Sequence, residues 1–223
     1  MKKLALISLL GLILSTASAA AFDSRPACET VAGATATSRD LAWDGSDGVG
    51  LSIDGQATYT RGSDDKVHAS GDPQLLAHLQ VHDGEIRLDC TDGHFDTSHL
   101  ALTLPGREFK AFAIAGTGNI DLHKLDQQSM HVSIAGKGSI KGEGKVADIH
   151  ISIAGSGNVD LGQVASQTAK VNIAGHGDAD IAPRQEVDAN IVGSGNVNLH
   201  TNTAKVESRI LGSGRVRNLA SGG

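Results

Sequence analysis

The chain has 223 residues, a formal net charge of −6, 28 glycines and only 3% aromatic residues. An acidic balance argues against nucleic acid or an anionic membrane surface as a partner. Aromatic poverty argues against the core of a globular enzyme and suits stacked aliphatic layers.

Residues 1–21 read as a signal peptide. Lys2 and Lys3 form a basic start, Leu4 to Leu14 an apolar stretch, and Ala17-Ser18-Ala19 a small-x-small cleavage site. The apolar stretch is shorter than the roughly 20 residues a membrane span needs, so no transmembrane segment is expected in the mature chain. Arg25-Pro26-Ala27 before Cys28 is not a lipobox. The expected address is bacterial and exported: periplasmic, cell-surface or secreted. Loss of Lys2 and Lys3 leaves 17 basic against 25 acidic residues, a net −8. Residues 22–37 form an N-terminal segment. The two cysteines, Cys28 and Cys90, are expected to form a disulfide in an oxidising compartment. In the chain-entropy model a loop of this length contributes roughly 4 kcal/mol. Neither a CxxC pair nor a zinc-ligand set is present.

The mature chain, of roughly 200 residues, reads as one elongated all-β domain. Its first part is irregular. Val49 to Ile53, Ala57 to Thr60, Lys66 to Ala69, Glu85 to Leu88 and Leu100 to Leu104 read as strands, with Asp83-Gly84 a hairpin turn. Asp72-Pro73 ahead of Leu75, Leu76 and Leu79 reads as a capped helical turn. This part is expected to carry divergent first coils and to close one end.

Residues 112–218 repeat six times: IAGTGNIDL, IAGKGSIKG, IAGSGNVDL, IAGHGDADI, IVGSGNVNL and ILGSGRVRN, starting at Ile114, Ile134, Ile153, Ile173, Ile191 and Ile210. A period near twenty without helical spacing predicts a single-domain parallel β-helix, a β-solenoid with about 19–20 residues per coil; a right-handed winding is expected. Position one and the residue two before it alternate as a strand with one buried face. Glycines at positions three and five suit a corner in which both take positive φ. Position seven (Ile120, Ile140, Val159, Ala179, Val197, Val216) and mostly position nine point inward, and a polar connection of about ten residues closes each coil. Residues 218–223 form a C-terminal tail.

Positions six and eight point outward and stack into ladders. Asn119, Asp121, Asn158, Asp160, Asp178, Asp180, Asn196 and Asn198 are the candidate binding residues, with Ser139, Lys141, Arg215 and Arg217 in the same columns. Stacked Asn, Ser and Asp also serve structure by accepting from corner amides, and that reading stands beside a binding face for a polymer or ion. Arg209, Arg215 and Arg217 read as charge that discourages further strand addition.

The order of elements resembles a known family. Ser70-Gly-Asp-Pro-Gln-Leu-Leu76, Val81-His-Asp-Gly-Glu-Ile-Arg-Leu88, Leu102-Thr-Leu-Pro105 and Phe112-Ala-Ile-Ala-Gly-Thr-Gly-Asn-Ile120, followed by further Gly-Ser-Gly-Asn copies, resemble the "putative auto-transporter adhesin head GIN domain" over about residues 38 to 217. The resemblance implies an exported β-helical protein with an adhesin role. It supplies no catalytic residues.

Competing chemistries fit the residues poorly. Val159 stands where a calcium repeat needs Asp, and the sixfold spacing of a hexapeptide helix fails in most copies. Asp178 with Asp180 is the one close acidic pair on a face that a polysaccharide-active enzyme could use. His78 with His82, and His94 and His99 with Asp92 and Asp96, are at most weak metal sites. Gly193-Ser194-Gly195 sits in a repeat corner and not in a nucleophile elbow. No cofactor and no catalytic residue is expected. The expected function is a non-enzymatic cell-envelope or adhesin-like interaction module whose partner is a surface polymer or protein. A periplasmic structural or envelope-stress protein with a protein partner is the alternative, and a polysaccharide-active enzyme the third reading. Oligomeric state is not indicated.

Overall fold

A computed structural model describes residues 25–91 and 94–220. The expected signal peptide, Asp92 and the last three residues of the tail lie outside that range. The chain forms a β-solenoid of about six turns. In chain order its strands are β1 (Ser38–Ala42), β2 (Gly48–Leu51), β3 (Gln56–Thr60), β4 (Lys66–Ser70), then helix α1 (Pro73–His78), then β5 (Leu79–His82), β6 (Glu85–Leu88) and β7 (Ala101–Thr103). The repeats supply β8 (Ala111–Gly116), β9 (Asn119–Gly136), β10 (Ser139–Gly155), β11 (Asn158–Gly175), β12 (Ala179–Gly193), β13 (Asn196–Leu199), β14 (Lys205–Gly212) and β15 (Arg215–Asn218).

Repeats stack parallel and in register. Ile114 lies beside Ile134, and the column continues through Ile153, Ile173, Ile191 and Ile210. Positions one, seven and nine are buried as expected up to the fifth copy, for example Ile153, Val159 and Leu161 at 2% exposure or less. Gly142 breaks the position-nine column because Leu161 fills its space: a Cβ on Gly142 would lie 2.8 Å from Leu161 Cδ2.

Two expectations about the coil need correction. The connection after position nine is strand rather than a polar loop, and β9 alone runs for 18 residues. It buries Leu125, Met130, Val146, Ile149, Val164, Ala169 and Val187. Bulges between Gly142 and Gly144 and between Leu161 and Ala165 shift the phase of the alternation, so a period-two count along the sequence loses the strand there. The second correction concerns the glycine pair. Only the first takes positive φ, as Gly155 does at 125°. Gly157 is required for space: its Cβ would lie 2.6 Å from the Gly138 carbonyl oxygen and 2.5 Å from Ile134 Cγ2.

The irregular part builds the first coil and closes it. β2 pairs parallel with β8, and β3 parallel with β9. Beyond them β7 pairs with β3, after which the direction reverses: β4 runs antiparallel to β7, and β1 antiparallel to β4. Asp72 caps α1, its carboxylate accepting from the backbone N–H of Gln74 and Leu75 at 2.9 and 3.1 Å. Arg39 of β1 donates to the carbonyls of Leu76, Ala77 and Leu79 at the helix end. Asp83 and Gly84 form the β5–β6 hairpin turn with φ of 51° and 77°, as expected for an Asp-Gly pair. Of six aromatic residues in the chain, four (Trp43, Tyr59, Phe109 and Phe112) meet edge-on with ring centroids 5.2–5.9 Å apart. They fill the first coil where aliphatic layers begin.

Cys28 and Cys90 form the disulfide, with Cα atoms 4.9 Å apart. It fastens the N-terminal segment beside Thr91, whose N–H donates to the Pro26 carbonyl and whose carbonyl accepts from Cys28 N–H, both at 2.8 Å.

Two outcomes follow for stability. Gly157→Ala overpacks a backbone column, at a cost of about 1–3 kcal/mol, and lowers Tm by roughly 3 °C or more in a domain of this size; Ser156→Ala, exposed at the same corner, stays within about 0.5 kcal/mol. Equal melting curves for the two variants would contradict the packing account. Reduction of Cys28–Cys90 removes about 2–5 kcal/mol. Calorimetry with reductant is expected to show the N-terminal cap unfolding earlier while the coils, held by neighbour stacking, retain a later transition.

Candidate functional site

The candidate ladder is a real column of neighbouring side chains. Asn119, Ser139 and Asn158 occupy successive rungs, as do Asp121, Lys141 and Asp160 in the adjacent column, which continues through Asp180, Asn198 and Arg217. Rungs of a sheet lie about 4.8 Å apart, so the columns form a regular strip along one face. Parts of it tie coil to coil. Ser139 Oγ donates to Asn119 Oδ1 at 2.7 Å. Asn158 Oδ1 accepts from Asp178 N–H at 3.0 Å, and Asp178 Oδ1 accepts from Asn196 N–H at 2.7 Å. Asn196 Nδ2 also donates to Asp178 Oδ1, and Asn198 Nδ2 donates to Asp180 Oδ1.

Two partners of the ladder lie outside the repeated phrase. Gln56 of β3 donates to Asp121 Oδ2 at 2.7 Å, extending the strip onto the first coil. His200 Nε2 lies 2.8 Å from Asp180 Oδ1. His200 is two residues beyond Asn198, hence on the same side of the chain, and that spacing was the available signal. Asp160 is the least engaged member: exposed, with only a 3.3 Å contact from Gly162 N–H.

Asp178 and Asp180 are each committed to the neighbouring coil, and neither lines either of two hollows among the described residues. One hollow, of about 430 Å³, lies between the N-terminal segment and α1, beside Glu29, Asp72, Gln74 and Phe95. The other, of similar volume, lies beside Arg61, Lys124 and Lys145. Both are open to solvent.

The histidines take separate local partners. His78 uses both ring nitrogens, 2.8 Å from Asp89 Oδ1 and 2.8 Å from the Glu29 carbonyl. His82 faces Asp83 at 3.3 Å. Cys90, next to His78 and Asp89, is committed to the disulfide and offers no thiolate. His99 Nδ1 lies 2.8 Å from Ser98 Oγ. His131 and His150 stack on adjacent rungs with ring centroids 4.7 Å apart. Burial first, and the neighbouring His150 second, push the His131 pKa below its ordinary 6.5.

The sequence matches the family described as "Putative auto-transporter adhesin, head GIN domain" over residues 47–203. The chain belongs to this family. Comparison with curated proteins returned no match. Among solved structures, a putative adhesin from Bacteroides fragilis shares the fold with a TM-score of 0.65 at 16% identity, covering 82% of this chain and 96% of the other. A putative lipid binding protein from Parabacteroides distasonis (TM-score 0.48, 18% identity) and a putative adhesin from the same species (0.45, 19%) each cover 82% of this chain and 96% of their own. Among the described residues of this GIN-domain chain, no helix is long and apolar enough to cross a membrane.

A pH test follows from the stacked histidines. The His131 pKa is depressed on folding, so its contribution to stability is complete above pH 6.5 and is lost as pH falls through the lowered value. An NMR titration is expected to place the His131 midpoint below 6.5. His150→Asn should raise that midpoint part of the way back, since burial remains. A midpoint at or above 6.5 in the wild type would contradict the stacked arrangement.

Proposed function

We propose that this chain is an exported, non-enzymatic interaction module of the bacterial cell envelope, adhesin-like in action, with residues 1–21 as its export signal. Membership of an adhesin-head family supports the class. The single observation that carries the binding reading is the strip of polar side chains from Gln56 and Asp121 to Asn198. Its rungs repeat at a fixed spacing, and it offers hydrogen-bond donors and acceptors along its length. An extended polymer with periodic hydroxyl groups, a surface polysaccharide, meets such a strip with one set of hydrogen bonds per rung. Each bond adds only about 0.5–1.5 kcal/mol, so affinity accumulates along the length of the polymer rather than in a pocket.

Residues that already join coils, Asp178 and Asn196 above all, have a structural share in the strip. Asp160, exposed and met only by Gly162 N–H, is the better contact group. The test is a glycan array probed with purified residues 22–223, followed by titration of any bound polysaccharide. The variant Asp160→Ala should weaken binding several-fold while keeping the melting temperature within a few degrees. Full binding by that variant, or no polysaccharide bound by the wild type, would sink the reading.

A further inference from the structure

The two ends of the solenoid are finished differently. At the N-terminal end, reversed strands β4 and β1, helix α1 and the aromatic cluster cover the first coil. At the other end β14 and β15 pair only inward, with β12 and β13. All of β14 is exposed. Val206 and Ile210 are 45% and 41% accessible, whereas Val187 and Ile191, their counterparts one coil below, are at 0% and 1%. Among the described residues this end therefore presents an apolar core face and a free strand edge, a combination that proteins usually cover, twist away or charge.

The sequence of β14 specifies what fits there. Read in either direction from Ser208, the run Val206-Glu207-Ser208-Arg209-Ile210 presents a charged residue and then an aliphatic one. Two such strands laid antiparallel with Ser208 opposite Ser208 set Val206 against Ile210 on the core face. The same register sets Glu207 against Arg209 on the outer face. Directly opposed residues share a face at about 4.5–5.5 Å between Cβ atoms, so the apolar match and the charge match are satisfied together. A slip of one residue spoils both.

Only the coil with the free edge has this property. The residues equivalent to Glu207 and Arg209 in earlier coils are Ala111 and Ala113, His131 and Ser133, His150 and Ser152, Lys170 and Asn172, and Asp188 and Asn190. None is an opposite-charge pair.

We propose that the C-terminal coil is a self-complementary interface on which a second copy of this chain docks end to end, with β14 antiparallel to β14 about Ser208. The contact is two-fold, so it closes as a dimer. Among the described residues the N-terminal end is covered by β4, β1 and α1 and presents no bare coil on which a head-to-tail filament could grow. β15 is not the pairing centre, because Arg215 and Arg217 flank Val216 with like charges. The three arginines thus do more than repel added strands, since Arg209 selects one register of one partner. This proposal is independent of the polysaccharide reading, as the polar strip lies on another part of the surface.

Sedimentation of purified residues 22–223 is expected to give twice the chain mass, and Ile210→Asp to give the monomer. Glu207→Arg sets like charges across the interface and should raise the dimer Kd about tenfold or more. Adding Arg209→Glu to it should restore the Kd to within about threefold. The native chain has no free cysteine, so introduced thiols report position. Mild oxidation should crosslink Ser208→Cys into a covalent dimer, because directly opposed Cα atoms lie at disulfide distance, and should leave Lys205→Cys uncrosslinked. Circular dichroism melts confirm that each variant is folded. A wild type that stays monomeric at its highest soluble concentration would overturn the proposal. So would assemblies larger than two, a dimer indifferent to Ile210→Asp, or crosslinking at Lys205→Cys as efficient as at Ser208→Cys.

Discussion

Backbone meets backbone at the Gly-x-Gly corner with no room for a single side-chain carbon. At Gly175 and Gly177 a Cβ would lie 2.1 Å from the carbonyl oxygen of the glycine one coil below, and at Gly193 and Gly195 the distance is the same. Such contact is tolerable only for hydrogen, so from the second corner onward the column admits glycine alone. It also sets each coil in one place relative to the last. The isoleucine column, the exposed small residues beside it and the polar ladders are consequences of that alignment, since side chains one repeat apart must stack once their corners coincide.

Alignment of the corners leaves the rest of each coil free to vary. The corner phrases begin at 114, 134, 153, 173, 191 and 210, and the differences in length are absorbed by bulges in the connecting strands, as between Leu161 and Ala165. The core accommodates them because it is built of interchangeable aliphatic side chains. Leu161 leaning into the space above Gly142 is one example. Aromatic side chains, which pack with specific geometry, are gathered where the repeat begins and there is a single non-repeating shape to fill.

Much of this was legible from residues whose chemistry is local. The Asp72-Pro73 cap, the Asp83-Gly84 turn and the six corners each depend on a backbone conformation that few residue types permit. The polar columns followed from repeat position alone. What escaped the sequence depends on distant partners or on phase. The strands through Gly142 and Gly144 lose their alternation at a bulge. The role of Gly157 is a contact with the coil below and leaves no local mark. β1 owes its strand to pairing with β4, its residues being mostly exposed. Gln56 reaches Asp121 across 65 residues of chain, which no repeat count anticipates.

The position of the aromatic plug has a consequence for assembly. Cys90 and Phe109 precede the repeats and Phe112 opens the first of them, so a chain that emerges N-terminus first has its closed end complete once the first repeat is available. From then on a finished edge waits for the next strand. Each coil has to close a loop of only 18–20 residues, a modest entropic step that does not grow as the solenoid lengthens. The direction of synthesis and the direction of growth coincide, and the chain is extended on a template of its own making.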